Sequence, residues 1–322
     1  MATPALTATH FHFLMRDILL FVPNYHRDSK SFQVVNLRGS SPDSRLVLRH
    51  GMIAHNMSRK TRIPTTHQVR TQIKRLERYI NSLRMIPASQ VYRSKVILPL
   101  FSKALTVGRA ICVLVDKGFP AEAFGMSRTL VDMYFCVRYM SNKDTEARIT
   151  TYVEYWARVH EEWGKIIAKH FPATKVSFPF WHDEVMEIAK KFTSKHRWTQ
   201  HGGQASFMAL EEDTREVDEH GKPFKSEFDY DVIYWWTSQY VHVTIIALDG
   251  HASEPGEVFR VGARRWIEQG RGADTLFNTL VFLSKIIICG CRVMREEQPE
   301  DILRDTHKLM KKFAVKRKKT AP

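Results

Sequence analysis

Cysteine is scarce: Cys112, Cys136, Cys289 and Cys291 are the only four in 322 residues. All lie within apolar stretches, where a free thiol behaves as a small hydrophobe. A disulfide framework is excluded, and a reducing, cytoplasmic setting is expected. The CGC pair has no second cysteine or histidine pair near it, so the common zinc spacings are missing. Glycine-rich phosphate loops are missing too. Neither G-x-x-x-x-G-K-[ST] nor G-x-G-x-x-G occurs, which argues against nucleotide hydrolysis. The G-x-S-x-G elbow of a serine nucleophile is also absent. EYWARVHEEW and FWHDEVMEI hold Glu154, His160, Glu161, His182, Asp183 and Glu184. They lack the Glu-x-x-His spacing of a carboxylate-bridged bundle site, so no metal and no cofactor is assigned.

Long uninterrupted apolar runs are lacking as well. FHFLMRDILLFV is broken by Arg16 and Asp17 and has no basic segment before it, unlike a secretory leader. LFNTLVFLSKIIICGC is broken by Asn278 and Lys285 and reads as a core helix, so no membrane partner is expected. No fixed-period repeat is present, which argues against a solenoid.

What the chain has in excess is positive charge: 49 basic against 34 acidic residues, a net +15. That balance favours RNA or another acidic partner. Hydrophobic residues at 43% are ordinary for a folded soluble protein. The fold class expected is mainly all-α, a multi-helix bundle with loop-rich insertions. Residues 1–64 form a small mixed N-terminal segment, 65–314 the bundle domain, and 315–322 a basic tail. A homodimer is compatible with this organisation.

The bundle opens at Thr66, where Val69, Ile73, Leu76, Ile80 and Leu83 alternate spacings of four and three, a narrow helical seam. The opposite face carries Arg70, Lys74, Arg75, Arg78 and Arg84, relieved only by Glu77. It is either a solvated face or an anion-facing stripe, and Arg70, Lys74, Arg75 and Arg78 are the candidate nucleic-acid contacts. Helices are expected from Val91 to Lys117, ending at Gly118, and from Pro120 to Ser141-Asn142. A third starts behind Asp144 as N-cap and stops before Pro172, and FWHDEVMEIAKKFTSK makes a shorter fourth. Residues 196–226 read as an excursion from the bundle. A helix follows from about Asp229. After it, DGHASEPGEVFRVGARRWIEQGRG reads as a loop-rich insertion with a short hairpin. Two final helices span Asp274 to about Arg295 and Pro299 to Phe313.

Two of these helices carry polar groups in apolar company. In AEAFGMSRTLVDMYFCVRYM hydrophobic residues cover nearly the whole circumference, so the helix is buried. Arg128 and Asp132 nevertheless sit four apart in it, and a buried ion is costly unless paired. They form either a structural pair that fixes register or a site that binds an anion or moves protons. In YWWTSQYVHVT, Ser238 and His242 are one turn apart and expected on one inward face with Tyr234, Trp235, Val241 and Ile245. The reading is a shared interior cluster of Arg128, Asp132, Ser238 and His242.

SRTLVDMYFCVRYMS and, about a hundred residues later, WTSQYVHVT resemble an uncharacterised bacterial helical family of unknown function. Its members carry an R-x-x-x-E helix and a later S-x-x-x-H helix. The likeness covers roughly Val91 to Met294. It implies Arg128, Ser238 and His242 as signature positions, with Asp132 where the family more often has Glu. Helical families of this kind are similar in architecture to the HEPN superfamily, which includes ribonucleases of toxin and phage-defence systems. The HEPN signature R-x(4–6)-H occurs at Arg45–His50, Arg49–His55, Arg62–His67 and Arg215–His220, none on a core helix. That likeness therefore rests on architecture alone.

Two functions follow as expectations. One is metal-independent RNA cleavage or RNA binding, with His242 as general acid or base and Arg128 holding the phosphate. In it Asp132 orients Arg128 or His242, and Ser238 donates a positioning hydrogen bond. The other is a non-enzymatic helical interaction module in which the same four residues satisfy one another as a buried network.

Overall fold

A computed structural model describes residues 64–83, 91–172, 182–194, 197–199, 204–213, 227, 229–242, 252–253, 260–261 and 269–314. The mixed N-terminal segment up to residue 63, the basic tail from 315 and the run 243–251 lie outside the described residues. So do three of the four R-x(4–6)-H stretches and Arg62 of the fourth, whose His67 is exposed on a surface helix.

Among the described residues there are nine α-helices and a single pair of two-residue strands, so the fold is mainly α. Helix α1 (Thr66–Ser82) begins at a capping box: Thr65 Oγ1 accepts from Gln68 N–H, and the Gln68 side chain accepts from Thr65 N–H. Val69, Ile73, Leu76 and Ile80 of its seam are buried, as the spacing predicts. Helix α2 (Val91–Asp116) and α3 (Pro120–Asn142) meet at Gly118, whose φ of +80° suits a residue without Cβ, and Pro120 opens α3 at its first turn.

Helix α3 is the central element. It packs against α2, against α4 (Thr145–His170), α6 (Ala205–Asp213) and α7 (Trp235–Val241), and most closely against α8 (Gln269–Met294). Leu130, Val131, Tyr134, Phe135, Val137 and Met140 are all buried, but Asp132, expected in the interior, is half exposed. α2 and α8 also approach tightly: a Cβ on Gly290 would stand 2.3 Å from the Phe101 ring, so only glycine fits there. α2 and α8 are long and apolar enough to cross a membrane by length and composition. Yet 72% of the qualifying window of α8 is buried within the bundle.

Four expectations are corrected. Asp144 stands at the N-cap of α4 but takes a left-handed backbone (φ 47°) and makes no side-chain cap bond. The shorter fourth helix expected over FWHDEVMEIAKKFTSK is present as α5 (His182–Ala189) but stops at Ala189, short of the end of that stretch, and lays Val185 and Ala189 on Ala157 of α4. The excursion at 196–226 contains a helix, α6, which returns to the bundle. The helix from Asp229 is not uniform: Asp229–Tyr234 is a π-helix that passes into the seven-residue α7. The expected hairpin is present as Ala252–Ser253 paired antiparallel with Arg260–Val261. Helix α9 (Glu300–Ala314) closes the described chain.

Candidate functional site

Arg128 sits midway along α3, beside the π-helix and α7. Its Nη1 donates to Ser238 Oγ and its Nη2 to the Tyr234 hydroxyl. The Ser238 hydroxyl in turn donates to the Tyr234 carbonyl at 2.5 Å. The guanidinium lies over the Tyr234 ring, 4.0 Å from its centroid, a cation–π contact. Asp132 Oδ2 is 3.5 Å from Arg128 Nε, an ion pair without hydrogen-bond alignment, since Nε is buried and unbonded. Arginine has five N–H donors. Two are spent on α7 and the π-helix and the Nε–H is buried, so one N–H on each terminal nitrogen remains.

Asp132 is half exposed. Burial by its surroundings raises its carboxyl above the ordinary carboxylate range, against the lowering pull of Arg128. Next to it, Cys136 is pushed up to about 12, first by burial and then by the Asp132 charge, while a hydrogen bond from Trp198 acts the other way. Tyr234 is raised in the same manner, by burial and by Asp132, with Arg128 opposing.

The structure therefore brings together three of the four predicted residues and parts them from the fourth. Arg128, Asp132 and Ser238 form one group. His242 is exposed at the C-cap of α7, its backbone N–H donating to Ser238 O at 3.0 Å. Its place on the inward face is corrected because α7 ends at Val241, and the chain leaves the helix at φ −91°, ψ 12°. The π-turn also rotates the expected faces: Thr237 and Ser238 are buried, while Trp235, Trp236 and Val241 face solvent. Ser238 cannot give a bond outward as expected, because its proton goes to the Tyr234 carbonyl.

Sequence reasoning missed Tyr234 as an Arg128 partner and missed the aromatic ladder it begins. Tyr234 stacks on Tyr230 (5.0 Å between centroids, 14° between planes), and Tyr230 meets Phe207 of α6 at 5.1 Å. Phe207 is 52% exposed, so the ladder ends in solvent. A π-helix widens the turn and suits such an i,i+4 stack. It is lashed to α8 by Asp229, buried, which pairs with Lys285. The lysine that interrupts the apolar run of α8 thus has a structural reason. The signal available in the sequence was Tyr230 and Tyr234 four apart, with Asp229 and Asp231 on either side of Tyr230.

A second polar feature also escaped. Arg148 of α4 and Glu212 of α6 form a buried, bidentate pair, with Arg148 also donating to the Tyr139 carbonyl and lying 3.8 Å from the Tyr139 ring centroid. Burial alone would raise Glu212. The hydrogen bonds from Arg148 and Asn142 outweigh it and hold the carboxyl below the ordinary carboxylate range. The pair floors a cleft of about 960 Å³ lined also by Arg93, Lys143, Arg292 and Arg295. None of the Arg128 group lines that cleft.

The basic stripe of α1 is partly consumed within the fold. Arg70 pairs with Asp116 at 2.6 Å, and Arg75 with Asp305 at 2.9 Å and Asp301 at 3.1 Å, whereas Lys74 and Arg78 are exposed. Among the described residues no three His, Cys, Asp or Glu side chains converge as metal ligands.

Residues 94–259 match a family described only as a family of unknown function, DUF5677. The match runs from the fourth residue of α2 past α7 and so includes Arg128, Asp132, Ser238 and His242. No curated protein and no solved structure matches the chain.

Proposed function

Since the chain belongs to DUF5677, a family of unknown function, we propose from its own geometry that it binds single-stranded RNA on the face of α3, α6 and α7 and cleaves it without a metal. The observation that carries this is the ladder Arg128–Tyr234–Tyr230–Phe207, anchored at a guanidinium and open to solvent at Phe207. Unpaired bases stack on such aromatic platforms, and arginine planes extend them. Trp235 and Trp236 add exposed aromatic area on the same segment, and the net charge of +15 favours the polyanion.

His242, exposed one turn beyond Ser238, is the general base. It takes the proton of a ribose 2′-hydroxyl as that oxygen attacks the adjacent phosphorus. The P–O5′ bond breaks, the 5′-oxygen leaves with a proton from water, and a 2′,3′-cyclic phosphate remains. The unspent donors of Arg128 hold the phosphate oxygens, and Asp132 keeps the guanidinium in place.

The test is a labelled single-stranded RNA incubated with purified protein in EDTA. His242→Ala should lower the cleavage rate about 10²–10⁴-fold, with the melting temperature nearly intact. Phe207→Ala should weaken binding by about 1–3 kcal/mol. Binding without product would overturn the cleavage step. No binding at low salt would overturn the whole reading and leave the interaction module. That second reading has its own support, since both terminal nitrogens of Arg128 already serve internal partners.

A further inference from the structure

Helix α4 carries one apolar seam along its length: Ile149, Tyr152, Trp156, Val159, Trp163 and Ile166, spaced by three, four, three, four and three. That is a heptad pattern, with Ile149, Trp156 and Trp163 at a positions and Tyr152, Val159 and Ile166 at d positions. Its first half is covered by the bundle. Ile149 is fully buried, Tyr152 meets Trp198 edge-on at 5.0 Å, and Trp156 packs on the Ala157–Val185–Ala189 cluster. Past Trp156 the seam continues in register without cover: Val159 is 47% exposed, Trp163 44% and Ile166 55%.

We propose that a second copy of this chain covers that seam, pairing α4 with α4 antiparallel about a two-fold axis near Lys165. Charge favours this occupant and this direction. Glu162 and Lys169 flank the seam at successive g positions, which face each other across an antiparallel pair. Two-fold symmetry sets Glu162 of each copy against Lys169 of the other, an isologous contact made twice. A parallel pairing would set Glu162 against Ile167 and gain nothing. In the antiparallel register Trp163 of one copy meets Ile166 of the other. Intrahelical bridges from Arg158 to Glu161 and Glu162, and from Lys165 to the same pair, hold those flanks in helical order beforehand. The free seam is about three turns long, roughly half of the ~800 Å² per partner of a standard interface. The dimer belongs to the weak, concentration-dependent class.

Sedimentation velocity on the full chain from ~1 to ~100 µM is the test, because mass action makes dimer content rise with concentration. The expected result is a monomer–dimer equilibrium that Trp163→Glu weakens at least about tenfold, without a change in helical circular dichroism. Glu162→Lys should weaken it similarly, and the double variant Glu162→Lys/Lys169→Glu should restore it. A monomer throughout the range overturns the proposal, as does a dimer insensitive to Trp163→Glu. Failure of the double variant to recover what Glu162→Lys loses overturns the antiparallel register. None of these readouts depends on RNA, so they stand apart from the cleavage assay.

Discussion

At the scale of single residues, Asp132 shows how one side chain can be held against its own preference. Its carboxyl is raised by burial and only partly pulled back by Arg128. The folded chain therefore keeps the proton to higher pH than the unfolded chain does. The stability this group contributes is full below the ordinary carboxylate range and is lost as pH rises through the raised folded value. At neutral pH the ionised carboxylate is a net cost, and a small one, because water still reaches half of the side chain. Asp132→Asn should raise the melting temperature at pH 7 by ~1–3 °C, and the difference should close as the pH is lowered into the acid range. Thermal melts of both proteins across pH check this. A lower melting temperature for the variant at pH 7 would mean that the Arg128 ion pair outweighs burial. Such a group, half exposed and costly when charged, suits a site kept for binding better than one kept for packing.

At the scale of elements, the buried Arg148–Glu212 pair is what fastens the short helix α6 to α4. Removing one partner leaves the other charge buried alone. Glu212→Gln should therefore cost about 3–5 kcal/mol in denaturant unfolding, and replacing both partners by leucine-sized apolar residues should recover most of it. A small loss for Glu212→Gln would show that water reaches Arg148 through the adjoining cleft. This pair also marks where the sequence stops being legible. The seam of α1 and the broad apolar burial of α3 could be read from spacing alone, because each follows from one helix burying its own apolar positions. α6 could not, since ASFMALEED is too short to show a period and its helix rests on a partner 64 residues earlier. The π-turn was illegible for the same reason: its Asp229 is pinned by Lys285, 56 residues on. The cluster of Arg128, Asp132 and Ser238 was read correctly as neighbours. His242 was misplaced because the helix end at Val241 carries neither glycine nor proline, and one added residue per turn shifts every face behind it.

At the scale of the whole molecule, the question is how much of the +15 charge the proposed RNA ligand would use. Positive charge inside a bundle is of two kinds. Arg70, Arg75, Arg93, Arg109 and Arg148 are already matched to Asp116, Asp305, Glu146, Glu77 and Glu212, so their removal acts chiefly on the fold. Lys74 and Arg78, exposed one turn apart on α1, pair with no carboxylate among the described residues and remain for a phosphate. Counterion release then separates the two kinds. Each phosphate contact contributes about −0.7 to the slope of log affinity against log salt for a single strand. The Lys74→Ala/Arg78→Ala double variant should therefore flatten that slope by ~1.4 and weaken binding most at low salt, while melting like the parent. Arg70→Ala/Arg75→Ala should lower the melting temperature and leave the slope of the remaining folded protein unchanged. The measurement is RNA affinity at several salt concentrations for the three proteins, with a melt of each. Equal slopes for the parent and Lys74→Ala/Arg78→Ala would take α1 out of the RNA-binding surface. The polyanion would then be confined to the aromatic ladder and Arg128.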